Sequence, residues 1–288
     1  MQAAPQTAPP SDERAAAAPA SPARSSRLAE LWRFRQLVAL LVARELKVRY
    51  KRSVLGVLWT MLNPLLLMVV YAVVFSTIMR AAIPNYSIFL LAGLLPWIFF
   101  STAVMQGLMS VLVNQELVRK IRLPQAVFPL SVVGSNLVNF ILSFLPLSIM
   151  MIALGQRFTS ALLFHPVAVA LLTIFAAGVT LLLSSATVFF RDVRHLTEVL
   201  LQVVLYLSPV LYDLGQLGEH RTWWFHLFRL ELSLNPMSYL IPLLRDPVYF
   251  GRLPELATVG VAAAWSAGAL VLGFAVFTRL EPRHIHHF

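Results

Sequence analysis

The sequence predicts an all-α integral membrane protein: six transmembrane helices, an N-terminal amphipathic interface helix, and short re-entrant or interfacial helices between spans five and six. Three observations carry that prediction. Residues 53–79, 81–115, 123–156, 158–190 and 256–278 contain no Asp, Glu, Lys or Arg. A helix needs about 20 apolar residues to cross the roughly 30 Å hydrocarbon core of a bilayer, and each run is long enough. The chain is 58% hydrophobic and 12% charged, whereas soluble domains are about 25% charged. The basic residues also gather in alternate connecting segments, as the positive-inside rule requires.

Residues 1–27 are rich in Ala, Pro, Ser and Gln with no apolar core. This composition predicts a disordered cytoplasmic tail rather than a signal peptide, so that the first span directs insertion. Residues 28–52 read as a basic amphipathic helix. Arg33, Gln36, Arg44, Lys47 and Lys51 fall on one stripe interrupted by Leu40; Leu31, Phe34, Val38, Leu41 and Val48 form another face. Such a helix lies along the membrane surface with its cations toward anionic head groups, and it anchors the first span.

The membrane domain runs from 53 to 280, with spans near 54–79, 87–113, 125–154, 165–190, 195–213 and 256–278, and 281–288 form a second cytoplasmic tail. The fifth span is the weakest. Only Val199–Tyr212 is free of charge, and a full crossing brings in Glu198. That carboxylate has two readings, an intramembrane functional group or a solvated or ion-paired helix end. Pro64, Pro96, Pro129, Pro146 and Pro209 fall inside spans, where proline is commoner than in soluble helices. No internal repeat is visible, which weighs against a transporter of duplicated halves.

Six spans place both termini on one side. If that side is cytoplasmic, it carries 17 of the 23 Lys and Arg, and the other side has only Arg80, Arg157, Arg221, Arg229, Arg245 and Arg252. The excess of base over acid thus belongs to membrane topology and not to nucleic acid. In the external segment 214–255, Trp223, Trp224, Phe225, Leu227 and Phe228 precede an uncharged stretch, Leu232–Leu244, too short to span. Pro236 and Pro242 divide it into two short helices, interfacial or re-entrant, whose irregular backbone must be covered by protein or line water.

On the cytoplasmic side, Asn114–Pro124 combines Glu116, Arg119, Lys120 and Arg122 with Leu117, Ile121 and Leu123. A short helix with one charged and one apolar face can connect two spans, or it can seat its apolar face in a groove on a soluble partner.

Several chemistries are excluded. With no cysteine there is no disulfide, thiolate metal site or Cys nucleophile. Lys47, Lys51 and Lys120 are the only lysines and none follows a glycine, so the chain has no P-loop and cannot be its own P-loop ATPase. His284, His286 and His287 read as surface histidines rather than a metal site, because the spacing is loose and no carboxylate is fixed beside them. Asp192 beside Arg191 reads as ordering its loop. The chain is expected to bind no cofactor or metal.

Four motifs, in order over about 30–280, resemble the ABC-2 type polysaccharide exporter permeases, the membrane subunits that export O-antigen, capsule and teichoic-acid type polymers. They are Arg44-Glu45-Leu46-Lys47-Val48-Arg49-Tyr50-Lys51-Arg52-Ser53-Val54-Leu55-Gly56-Val57-Leu58-Trp59 with Asn63-Pro64; Phe189-Phe190-Arg191-Asp192-Val193; Ser208-Pro209-Val210-Leu211-Tyr212; and Leu234-Asn235-Pro236-Met237. The resemblance implies a homodimer in the cytoplasmic (inner) membrane, paired with two copies of a P-loop ATPase that holds ATP and Mg. A lipid-linked glycan would pass between the two permease subunits. It also implies that 28–52, with Arg44, Lys47, Lys51 and Arg52, is an interface helix. Glu116, Leu117, Arg119, Lys120 and Arg122 would form the main coupling helix, Arg191, Asp192 and Arg194 a second cytoplasmic contact, and 214–255 part of the external gate.

A glycan hydroxyl left dry and unpaired costs about 2–7 kcal/mol, so a polymer needs a hydrated path with flat faces for its rings. Candidate channel aromatics are Trp59, Tyr71, Phe75, Trp97, Phe100, Tyr206 and Tyr212; aromatics equally suit interfacial belts and helix packing. Two other functions remain in view. One is ABC-2 export of a small lipid or drug. The other is a membrane enzyme acting on lipid-linked sugars, which the lack of a D-x-D pair and the isolation of His165 and His220 disfavour.

Overall fold

The computed structural model describes residues 33–51, 56, 58–74, 83–120, 123–213 and 223–284. The side chains of 60, 61, 71, 72 and 223–227 lie outside this description. So do the tail 1–27, Arg52, Phe75, Arg122, residues 214–222 of the proposed gate, and 285–288 with His286 and His287. Among the described residues the chain is helical without strands. The α-helices are α1 (Arg35–Tyr50), α2 (Leu58–Val73), α3 (Tyr86–Gly107), α4 (Ser110–Val113), α5 (Gln115–Lys120), α6 (Val127–Ala153), α7 (His165–Phe189), α8 (Val193–Leu207), α9 (Trp223–Leu234), α10 (Met237–Arg245) and α11 (Leu256–His284).

Helices α3, α6, α7 and α11 are long and apolar enough to cross a bilayer. Helix α2 has 16 residues and α8 has 15, about 24 and 22 Å at 1.5 Å per residue and short of the hydrocarbon thickness by themselves.

Helix α3 is apolar on all sides and is accordingly the innermost element. Ile88, Phe89, Leu90 and Leu91 are fully buried there, in a core shared with α6, α7 and α10. Where lipid is the solvent, helix association rests on close packing rather than on escape from water. The extensive contact between α7 and α11 follows this rule. A Cβ on Gly178 would overlap the Ala269–Leu270 backbone, and one on Gly273 would strike the carbonyl of Gly178. The other side of α11 remains exposed, at Val271 and Leu272 for example.

Several boundaries differ from the sequence reading. The second span ends at Gly107 instead of continuing to 113. Ser110 donates its hydroxyl to the Gly107 carbonyl at 2.6 Å, and a short separate helix follows. The fifth stops at Leu207, with Ser208 extended at ψ 148°, because the residue before a proline disfavours helix. The last continues beyond 278 to His284.

His284 also corrects the expectation of a surface histidine, being fully buried. Its Nδ1 lies 2.7 Å from Gln125 Oε1, and its Nε2 lies 2.9 Å from Ser185 Oγ. The Gln125 backbone N–H donates to Glu281 Oε1 at 2.7 Å. The end of α11 is thereby tied to the starts and ends of its neighbours. Of the two readings of α10, interfacial or re-entrant, its burial favours the helix covered by protein: Leu240, Ile241, Leu243 and Leu244 lie in the core.

Candidate functional site

Helix α1 buries Leu41 against Val118 of α5 and Val127 and Phe128 of α6, with Phe34, Leu37, Val38 and Leu117 around them. The apolar faces of the two amphipathic segments therefore meet each other and the start of α6. Val48, assigned from sequence to that apolar face, is 61% exposed instead. The charged residues are left outward: Arg44, Lys47, Lys51, Glu116, Arg119 and Lys120 are exposed, and Leu117 is half-buried. Arg191 and Asp192 are exposed in the turn before α8, and Arg194 is exposed in its first turn. Asp192 occupies the N-cap position of that helix, and its carbonyl accepts the Leu196 N–H at 3.0 Å.

Arg49 and Tyr50, at the end of α1, turn toward α3 and α6. The Arg49 guanidinium donates to Asn136 Oδ1 at 3.2 Å and to Gln106 Oε1 at 2.5 Å. Asn136 Nδ2 donates in turn to Gln106 Oε1 at 3.1 Å and to the Val132 carbonyl at 2.9 Å. The Tyr50 hydroxyl donates to Asn139 Oδ1 at 2.7 Å. Burial pushes its pKa up, against the opposing pull of Arg49, so the hydroxyl keeps its proton at neutral pH. These groups line a cavity of about 330 Å³ between α1, α2, α3 and α6. Trp59, Asn63 and Thr102 complete its polar side; Leu95, Ile98, Phe99 and Phe140 supply an apolar wall. Sequence reasoning singled out none of Arg49, Gln106, Asn136 and Asn139. The available signal was amides inside otherwise apolar spans, with Asn136 and Asn139 three apart on one helix face.

At the other end, Arg245 of α10 is buried, with its guanidinium 4.0 Å from the Phe89 ring centre. Its Nη2 donates to the Pro209 carbonyl and to the Val210 carbonyl. Burial lowers its pKa to about 10, with Asp213 and Asp246 opposing, so it remains a cation at neutral pH. A Cβ on Gly93 would collide with this guanidinium. Asn235 Nδ2 donates to Ser208 Oγ at 3.0 Å, and Asn235 Oδ1 accepts the Met237 N–H at 3.0 Å. The two motifs at 208–212 and 234–237 are thus one knot in space. A cavity of about 480 Å³ beside it is lined by Asp213, Asp246, Glu255 and Arg252 among others. Asp246 pairs with Arg252 at 3.3 Å, while burial pushes its carboxyl pKa up.

The candidate aromatics whose side chains are described occupy different surroundings. Trp59 lines the Arg49 cavity and is 49% exposed. Trp97 is buried, its ring centroid 6.0 Å from that of Phe100, which stacks on Phe175 at 5.3 Å. Phe100 also lines an apolar groove beside α8. Tyr206 is 65% exposed on α8. The Tyr212 hydroxyl donates to the Leu207 carbonyl, and its ring meets Phe228 at 5.9 Å. The Tyr71 side chain and Phe75 lie outside the described residues. Among the described residues no three His, Asp or Glu side chains come together to hold a metal.

Four apolar helices of bilayer length among the described residues define a polytopic membrane protein. The chain belongs to the ABC-2 type transporter family, whose model matches residues 36–249. It is 40% identical over 248 residues to the O-antigen export system permease protein RfbA of Myxococcus xanthus, an alignment covering 84% of this chain and 93% of that protein. The RfbA protein of Klebsiella pneumoniae is 29% identical, over 86% of this chain and 93% of its own length. The polysialic acid transport protein KpsM of Escherichia coli is 23% identical over 85% and 93%.

Proposed function

We propose that the chain is the membrane subunit of an ATP-driven exporter of a lipid-linked polysaccharide, working as a homodimer with two copies of a separate P-loop ATPase. The single observation that carries this reading is the near full-length 40% identity to an O-antigen export permease. The sequence has no P-loop motif, which supports assigning ATP hydrolysis to a separate polypeptide. Each subunit crosses the inner membrane six times with both termini cytoplasmic, α2 and α8 supplying the crossings beyond the four long helices. The charged surface of α1 and α5, with Arg191, Asp192 and Arg194, receives the ATPase. The α9–α10 segment serves the external gate. The candidate aromatics and a second copy of the chain together supply the walls of the glycan path.

Reconstitution tests the reading. Proteoliposomes holding the chain with its ATPase should move lipid-linked glycan only when ATP is present, and the chain alone should neither hydrolyse ATP nor move glycan. Transport of a small lipid or drug with no movement of glycan would replace this reading with the other ABC-2 cargo class. Sugar transfer by the chain alone would replace it with an enzyme.

A further inference from the structure

We infer that the cavity between α1, α2, α3 and α6 holds the phosphate-bearing end of the lipid-linked cargo, with a phosphate or diphosphate ester on Arg49 and the first sugar against Trp59, Asn63 and Asn139. The inference rests on the export reading and deepens it by naming which part of the cargo this site takes.

The charge balance of the cavity selects an anion. Among the described residues, Arg49 is the sole charged residue in its lining, which includes no Asp or Glu. Its hydrogen-bond partners, Asn136 Oδ1 and Gln106 Oε1, are neutral amide oxygens. They hold the guanidinium in place without compensating its charge. A guanidinium has five N–H donors in a planar fork that matches phosphate oxygens two at a time, so donors remain after the two amide bonds are made. The amides are themselves held from behind, because Asn136 is buried and bonded to Gln106 and the Val132 carbonyl. The anion site is therefore preorganised, and binding does not require Arg49 to give up a carboxylate.

The remaining lining selects a sugar next to that anion. Asn139 accepts the Tyr50 hydroxyl through Oδ1, which leaves its two amide N–H donors for a ligand. Asn63, Thr102 and Ser143 add further amide and hydroxyl groups. The half-exposed Trp59 indole offers the flat apolar face on which a pyranose ring packs. Leu95, Ile98, Phe99 and Phe140 form an apolar wall suited to the start of a lipid stem. At about 330 Å³ the space lies near the lower end of ligand pockets, about 300–1,000 Å³. That suits one phosphate-and-sugar unit and not a length of polymer. Gln106 is one residue from the end of α3, and Asn136 is nine residues into α6. The site thus lies toward one membrane face, the cytoplasmic one under the proposed orientation.

The test uses the full chain in nanodiscs without ATPase, so that binding is read separately from export. Phenylglyoxal modification of Arg49 in the unaltered protein is followed by peptide mass spectrometry. A polyprenyl diphosphate bearing one N-acetylhexosamine, at ten times its Kd, should slow modification of Arg49 by about tenfold and leave Arg119 and Arg191 unaffected. Inorganic diphosphate, free N-acetylhexosamine and phosphatidylglycerol at the same concentration should protect weakly. Equal protection by inorganic diphosphate or phosphatidylglycerol would overturn the assignment to the lipid-linked sugar, and lack of protection by every probe would overturn the site. Arg49→Gln should weaken binding of the lipid-linked probe by about tenfold or more, while Leu272→Ala on the outer face of α11 should leave it unchanged. If Arg49→Gln binds as tightly as the original, the site is wrong even if ATP-driven export stands. If the original chain binds the probe but exports no glycan with ATPase, the export reading fails instead.

Discussion

A guanidinium removed from water needs partners, and Arg245 finds them in carbonyls that Pro209 leaves free. Pro209 disfavours helix at Ser208, so α8 ends at Leu207, and the turn that follows presents the Pro209 and Val210 carbonyls to α10. Replacing Arg245 by Met removes the donor and strands these carbonyls, each unpaired group costing about 1–3 kcal/mol. Arg245→Met should therefore lower the thermal midpoint of the detergent-solubilised protein markedly. Gly93→Ala should act in the same direction through the neighbouring residue, since its Cβ occupies the guanidinium's place. Unchanged melting for both would remove the clamp from the account of the fold. None of this was legible in the sequence, where Arg245 counted only as an external charge. A cation's burial depends on which backbone carbonyls meet it from 35 residues away. The same holds for Arg49, one cation among several in its motif until the fold brings Gln106 and Asn136 to it.

At the scale of elements, the charge-free runs identified the long helices because a bilayer penalises charge whatever the tertiary fold. Their ends were less legible, since Ser110 and Pro209 act through local bonds that hydropathy does not register. Packing partners were not legible at all: α3 and α11 are both apolar, yet α3 is central and α11 peripheral. Gly178 of α7 and Gly260 of α11 make a contrast that can be measured. Gly178→Ala forces α7 away from α11 and should destabilise by about 1–3 kcal/mol. Gly260→Ala, with nothing within 4 Å of its Cβ, should be neutral or stabilise by up to about 1 kcal/mol; chemical or thermal unfolding of the two variants distinguishes them. Helix α5 presents Glu116, Arg119 and Lys120 outward while Val118 holds it to α1. Reversing charge at Arg119 and Lys120 together should leave the fold intact and reduce co-purification with the ATPase by about tenfold. Full retention of the ATPase with stimulated hydrolysis would make α5 a connector only.

For the whole molecule, orientation is the property on which the proposed function turns. The chain has no cysteine, so a single introduced thiol reports its own location. Under the proposed topology, Glu116→Cys should react with an impermeant maleimide only after the membrane is opened, and Arg157→Cys should react in intact spheroplasts. The reverse pattern would put the ATPase surface outside the cell and end the export reading. The Arg49 cavity and the Arg245 knot lie toward opposite ends of α3, with Gln106 at one and Gly93 nearer the other. Cargo recognition and external closure are thereby separated along one buried helix in the proposed mechanism.

The sequence by itself determined the solvent of this protein, its long helices and its lack of a P-loop motif, because each follows from residue type and spacing along the chain. The tertiary structure alone decided which helix is central, why the 208–212 and 234–237 motifs belong together, and where two arginines find amide or carbonyl oxygens. Those outcomes depend on contacts between residues far apart in the chain. A one-dimensional pattern states the cost of a buried polar group but not the partner that offsets it.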